Sequence, residues 1–231
     1  MIRIAVVDDH TLVREGICKL VNSLGGFEVV LEAEHGEEFL ELLPHTPVDV
    51  VLLDLMMPVM DGYETCMQVV NSYPDIKVMI LSQFYSKESV SKIIELGAHG
   101  YLSKCCTALL LKQSINSIYD EGFYLDKKIK ECIKDAFGSD AYLGNEASSI
   151  QLTERELEIV NCVIHQMSSA EIGEKLCISK FTVENHRTNM IKKTNSKNFV
   201  GVLLHAFKHE MPKLREYEAN YVKKNNNNLL N

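Results

Sequence analysis

Asp8, Asp9 and Asp54 offer carboxylates, Ser82 a hydroxyl and Lys104 an ammonium, and each closes a short apolar run. Ile4-Ala5-Val6-Val7 leads into Asp8-Asp9 and Val50-Val51-Leu52-Leu53 into Asp54. Val78-Met79-Ile80-Leu81 leads into Ser82, and Gly100-Tyr101-Leu102 through Ser103 into Lys104. In an open parallel sheet the carboxyl ends of neighbouring strands converge on one crevice. Acids, a hydroxyl and one cation gathered there suit a divalent metal and a phosphoryl group. Mg2+ takes oxygen ligands in near-octahedral geometry, using one or two carboxylates, waters and phosphate. Asp9 and Asp54 are the expected ligands, with Asp8 direct or through water. A main-chain carbonyl just after Asp54, assigned to Met56, is a further one. Asp54 is the expected nucleophile, forming an aspartyl phosphate. Lys104 would pair with the phosphate as a point charge, and Ser82 would donate a hydrogen bond to it. Each residue alone has an ordinary reading: Asp8-Asp9 as helix caps, Asp54 as a loop acid, Ser82 as a satisfied hydroxyl, Lys104 as a solvated lysine. Their joint placement on four strand ends favours one site.

The elements that must hold this site alternate between strand and helix patterns over residues 1–125, which argues for βαβ units. Strands are expected at Ile2–Val7, Phe27–Ala33, Val48–Leu53, Lys77–Leu81 and Gly100–Ser103. The nearly continuous apolar run Val48–Leu53 reads as a central strand buried on both faces. Helices are expected at Thr11–Leu24, Glu37–Leu43, Tyr63–Tyr73, Ser86–Leu96 and Ala108–Tyr119. Met57-Pro58 and Asp61-Gly62 are loop chemistry. Right-handed crossovers make this an α/β domain with a five-stranded, doubly wound parallel sheet.

Residues 126–149 change character and read as a linker, with a short helix expected over Lys127–Phe137. Residues 150–210 are all-α, with four short helices. Thr153-x-x-Glu156 and Ser168-x-x-Glu171 are capping boxes, and Leu152 and Leu157 are placed as a hydrophobic staple. Cys177-Ile178-Ser179 is a short turn before a helix over Phe181–Thr194, and Phe199–His209 is the last helix. Residues 211–231 form a polar tail containing Asn225–Asn228 and are expected to be disordered.

The net charge of −8 is unevenly spread. Residues 1–125 hold 8 Lys+Arg against 18 Asp+Glu, a net −10, while residues 150–210 hold 8 against 7, a net +1. The acidic half suits cation binding, and a nucleic-acid role for the second half must rest on more than charge. The seven cysteines show no Cys-x-x-Cys spacing, so reduced thiols in a cytoplasmic protein are expected. No membrane span or signal peptide is expected, since no apolar run is long enough and the start leads straight into a strand pattern.

Asp8-Asp9, Asp54, Ser82 and Lys104, with Met57-Pro58 and Asp61-Gly62, resemble the receiver domain of bacterial response regulators over residues 1–125. The resemblance implies strand order 2-1-3-4-5, Mg2+ as cofactor and a histidine kinase as phosphoryl donor. It also implies that Ser82 and Tyr101 switch inward together on phosphorylation; taken alone, Tyr101 is a half-buried strand aromatic. Leu152-Thr153-Glu154-Arg155-Glu156, Glu171-Ile172, Ile178-Ser179, Thr182-Val183-Glu184-Asn185-His186 and Asn189-Met190 resemble the LuxR-type helix-turn-helix of NarL/FixJ regulators. The pairing implies a two-component transcriptional regulator, not an enzyme beyond its own phosphorylation and dephosphorylation, that binds double-stranded DNA as a homodimer.

Phe181–Thr194 is then the recognition helix. Asn185 can read adenine and Glu184 can accept from cytosine N4. Lys180, Thr182, Arg187, Lys192 and Lys193 are expected at phosphates, and Thr188 shares the outer face. Val200, Leu203, Leu204 and Phe207 supply either a dimer contact or the domain's own core. The chain departs from the family pattern at several points. Cys105 replaces a frequent Pro, Ser82 a frequent Thr, Gln166 a frequent Gly, and Ser169-Ala170 a frequent Asn-Lys. The lost Lys and the presence of Glu184 lower the positive charge, so nonspecific affinity should be weak. Met56 and Phe84 are bulky neighbours expected to hinder the hydrolytic water and lengthen the phosphoryl lifetime.

Overall fold

The computed structural model describes residues 1–83, 86–126, 150–210, 213, 214 and 217. The chain divides into two compact units, Met1–Ile129 and Lys130–Asn231.

The first unit alternates β1 (Ile2–Val7), α1 (Thr11–Ser23), β2 (Phe27–Ala33), α2 (Gly36–Leu42), β3 (Val50–Asp54), α3 (Gly62–Ser72), β4 (Lys77–Ser82), α4 (Lys87–Leu96), β5 (Gly100–Ser103), α5 (Ala108–Glu121) and β6 (Tyr124–Leu125). The parallel sheet runs in the order β2-β1-β3-β4-β5-β6. The expected order 2-1-3-4-5 is present, with a sixth strand added at one edge. Gly122, at φ 78, closes α5 and turns the chain back, so that Tyr124 N–H donates to His99 O at 2.8 Å. Two residues carry no periodicity, so nothing in the sequence marks this strand.

Burial follows position in the sheet. All of central β3 is buried, whereas edge strand β2 is buried only in part. One face of the sheet closes on a cluster including Ile4, Val6, Leu52, Met79, Leu102, Leu111, Ile115 and Ile118. The register pairs Val7 with Leu53, Asp54 with Leu81 and Ser82 with Ser103. The polar residue ending each of these strands therefore lies at one sheet end. Helix starts are fixed locally: Asp61, Ser86 and Thr107 each accept a backbone N–H in the first turn of α3, α4 and α5.

In the second unit the described residues form α6 (Glu154–Ile164), α7 (Ser169–Leu176), α8 (Lys180–Lys193) and α9 (Phe199–His209). Both capping boxes form, at Thr153/Glu156 and Ser168/Glu171. Leu152 and Leu157 are buried at the staple positions. At the turn joining α7 and α8, a Cβ on Gly173 would sit 2.7 Å from the Ile178 carbonyl oxygen, so only glycine permits this approach.

The expected helix over Lys127–Phe137, nearly all of the linker and Asn225–Asn228 lie outside the described residues. The expectation of a polar, unstructured tail from residue 211 is corrected at its start. Leu214 is 2% exposed, and its N–H donates to Glu210 O at 3.0 Å, a helical spacing. Lys213 Nζ pairs with Glu210 at 2.9 Å, and Glu210 Oε1 accepts the Leu152 N–H at 3.2 Å. Leu214 falls one turn after Glu210 and gives the segment an apolar anchor.

Candidate functional site

The residues ending β1, β3 and β5 meet at the carboxyl end of the sheet. Lys104 Nζ lies 2.6 Å from Asp8 Oδ2 and 2.8 Å from Asp54 Oδ2, and these side chains are 7%, 2% and 6% exposed. Lys104 N–H donates to Ser82 O at 2.9 Å, which ties the end of β5 to that of β4. Ser82 is buried beside them in the sheet register. Asp54 Oδ1 accepts the Leu55 N–H at 2.8 Å, leaving Oδ2 turned to the lysine.

Asp8 and Asp9 are not helix caps. The residue capping α1 is His10, which makes no side-chain cap bond. Asp8 Oδ1 accepts the His10 N–H at 3.0 Å, and His10 Nδ1 stands 2.8 Å from Asp9 Oδ1. Ligand atoms of Asp8, Asp9, His10 and Asp54 all lie within 4.8 Å of one another.

The charges here do not balance. Burial raises the pKa of the Asp54 carboxyl, with the Asp8 carboxylate adding to the rise; Lys104 opposes the shift without cancelling it. Burial lowers the pKa of Lys104, but Asp54 and Asp8 outweigh it, so the ammonium is held more firmly than usual. Three carboxylates face one lysine. Asp8 Oδ2 and Asp9 Oδ1 are buried and accept no aligned hydrogen bond; Lys104 Nζ stands 2.6 Å from the first and the His10 ring nitrogen 2.8 Å from the second. Buried carboxylate oxygens of this kind are ordinarily paired or bound to metal. Oxygen donors with surplus negative charge fit a hard divalent cation such as Mg2+.

Two supports of the crevice rest on contacts that residue spacing alone does not show. Arg14 is buried in α1, donating from Nη1 to Asp8 O at 2.6 Å and from Nη2 to Glu34 at 3.1 Å. It thereby fixes the backbone that carries Asp8. The available signal was its position: Arg14, Cys18 and Val21 form the buried stripe of α1. The second is Gly62, where a Cβ would lie 2.1 Å from Asp54 O. Its N–H donates to Leu55 O at 3.0 Å, closing the loop after the acceptor. In that loop Met56 is 69% exposed, and Phe84 lies outside the described residues. Tyr101 is 1% exposed, so it is fully inside rather than half-buried.

In the second unit, α8 buries Val183, Arg187 and Met190 on one face. Phe181, Asn185, Thr188 and Lys192 are exposed, Lys180 pairs with Glu184 at 3.5 Å, and Thr182 Oγ1 lies 2.8 Å from the capping Ser179. Arg187 is a correction. Its Nη1 donates to Ser169 Oγ at 2.8 Å and its guanidinium lies 4.7 Å from the Phe199 ring centre, so it links α7, α8 and α9 instead of facing outward. Lys193 Nζ is engaged by Glu156 at 2.8 Å, tying α8 to the capping box of α6. Val200, Leu203, Leu204 and Phe207 are all buried, so they belong to the core and are withdrawn as dimer contacts.

Comparisons with known proteins match both units. The family model for the response regulator receiver domain matches residues 4–116, and that for bacterial regulatory proteins of the luxR family matches residues 150–206. The chain is 30% identical over 227 residues to the transcriptional regulatory protein DegU of Brevibacillus brevis, covering 93% of this chain and 96% of that one. It is 32% identical to the oxygen regulatory protein NreC of Staphylococcus carnosus over 90% of this chain and 98% of NreC. A solved structure of a LuxR-family two-component response regulator from Aurantimonas is similar at TM-score 0.56 and 30% identity, over 59% of this chain and 98% of that one. A buried aspartate–lysine crevice at the strand ends, a capped helix-turn-helix and near-full-length similarity converge: the chain belongs to the two-component response regulators, with a receiver domain followed by a LuxR-type DNA-binding domain.

Proposed function

We propose that Asp54 accepts a phosphoryl group from a histidine kinase in the cytoplasm, and that this shifts the output domain toward dimers that bind promoter DNA. One observation carries the reading: Asp54 Oδ2 is buried 2.8 Å from Lys104, which also pairs with Asp8 Oδ2 at 2.6 Å, in a crevice that gathers three carboxylates. Asp8, Asp9, Asp54 and the main-chain carbonyl of Met56 would hold Mg2+. When bound, the ion neutralises the crowded anions and the charge developing on the phosphoryl oxygens.

Asp54 Oδ2 forms the new bond to phosphorus as the phosphorus–nitrogen bond to the donor imidazole breaks. The electron pair stays on that nitrogen, which takes up a proton. Lys104 Nζ follows the negative charge from the carboxylate to the phosphoryl group. The Ser82 hydroxyl exchanges its partner for a phosphoryl oxygen, and Tyr101 responds within the core. The response is a shift in the population of two conformations. In the output domain Lys180 and Lys192 contact phosphates, while Glu184, Asn185 and Thr188 face base edges. Two recognition helices would engage half-sites about 34–36 Å apart.

The test uses the full chain, Mg2+ and a small-molecule phosphoryl donor. Wild type should gain one phosphoryl group by intact mass, become heavier by light scattering and retard specific DNA fragments. Asp54→Ala should do none of these. A mass gain in Asp54→Ala, or no specific retardation in either state, sinks the proposal.

A further inference from the structure

Phe181 is 70% exposed at the second position of α8, while Val183, Arg187 and Met190 turn inward. Phe181, Asn185, Thr188 and Lys192 follow one another at three- and four-residue spacing, so they share the outer stripe of the helix. Glu184 lies on the same flank and pairs with Lys180. The ring therefore lies among the residues that would face a major groove, at the helix end that reaches base edges first.

The chemistry of its neighbours narrows what the ring meets. Glu184, one turn along, repels phosphate and accepts from an exocyclic amino group. A ring at the amino-terminal end of the helix, beside this acid, would meet base edges before the backbone. The apolar feature that base pairs present in the major groove is the thymine C5-methyl. We propose that Phe181 reads a thymine methyl, and that with Glu184 it sets a preference for pyrimidines on one strand of each half-site. This deepens the DNA-binding reading given above and rests on it.

The experiment begins by selecting duplexes from a random pool with the full-length, phosphorylated protein. Each thymine of the selected site is then replaced by deoxyuridine, which removes the methyl group alone. Wild type should lose about fourfold in affinity at one position per half-site, the loss expected for one buried methyl contact. Phe181→Ala should bind the thymine site as weakly as wild type binds the deoxyuridine site, with no difference between the two DNAs. Phe181→Leu should keep part of the discrimination. Because the ring is exposed, the melting temperature of both variants should stay unchanged.

An enriched site that wild type binds equally with thymine or deoxyuridine at every position overturns the Phe181 assignment and leaves DNA binding intact. Full discrimination retained by Phe181→Ala does the same. If no sequence is enriched at all, base reading itself fails and the assignment falls with it.

Discussion

In the receiver, Asp8, Asp54 and Lys104 are buried together at the strand ends and form the candidate site. In the output domain the buried charges Arg187 and Glu156 hold helices together, while Lys180, Asn185, Thr188 and Lys192 remain on the surface. The difference fits what each region is proposed to bind. A phosphoryl group is small and attacked in line, so its partners must be held in fixed geometry in a narrow crevice. Duplex DNA is large and wet, so its partners stand outward and the domain spends its buried charge on rigidity. Both regions nevertheless rely on a glycine where two backbone segments touch: Gly62 against Asp54 O, and Gly173 against Ile178 O.

The sharpest way to break the comparison is to add a methyl group at each glycine. Gly62→Ala must push the loop off the Asp54 carbonyl, since the new carbon would lie 2.1 Å from it. The expected result is at least a tenfold slower phosphoryl uptake, read by intact mass, and a loss of about 1–3 kcal/mol in receiver stability. Gly173→Ala meets Ile178 O at 2.7 Å and should tilt α8 against α7. It should lower DNA affinity with phosphoryl uptake unchanged. Normal uptake in Gly62→Ala would show that the loop has slack and that the crevice is less fixed than its burial implies.

The receiver was more legible in the sequence than the output domain, for a physical reason. Apolar runs of four residues ending in Asp, Ser or Lys mark both the strands and the site, because burial and chemistry change over at the same peptide. Arg187 carried the opposite lesson. Its spacing, four residues after Val183 and three before Met190, already placed it inward, but its charge suggested the surface. Val200, Leu203, Leu204 and Phe207 are spaced alike for a core stripe or a dimer seam, and only the helices packed on them decide. Gln166 was legible only as a departure: it adopts φ 63, where the family's frequent glycine costs nothing. Gly62 and Arg14 act through space, on Asp54 O and Asp8 O, and no local pattern reports that.

Arg187 and Lys192 separate the two uses of charge within one helix. Arg187→Ala removes a buried hydrogen bond to Ser169 and a cation–ring contact with Phe199, so it should cost the output domain about 2–3 kcal/mol. Lys192→Ala is at an exposed position and should change stability by less than about 0.5 kcal/mol. It should instead weaken binding across all sequences and reduce the slope of log affinity against log salt by about 1. Thermal melts and a salt titration of the full chain decide. If Arg187→Ala melts like wild type and alters only the salt slope, then Arg187 faces DNA after all.

The two regions should also differ in acid. His99 is buried at the amino end of β5, and its Nδ1 accepts the Val78 N–H at 3.1 Å, so burial first and Lys77 second push its pKa down to about 3. The unfolded chain regains the ordinary value of 6.5. Between these values the unfolded state binds more protons, so the stabilisation is complete above 6.5 and is lost as pH falls toward 3. At pH 5 the loss is about 2 kcal/mol. In the output domain burial also lowers the pKa of His205, but the Ile150 carbonyl opposes it and the ring is only half-buried. Its acid response should be smaller. His99→Asn keeps an acceptor for Val78 N–H and cannot be protonated, so it should be less stable at pH 7 yet lose about 2 kcal/mol less than wild type on going to pH 5. The measurement is the urea midpoint of both proteins at the two pH values, with hydrogen exchange of the β4 amides to assign the change to the receiver. Equal pH dependence in both proteins would place the acid sensitivity elsewhere and remove His99 from the comparison.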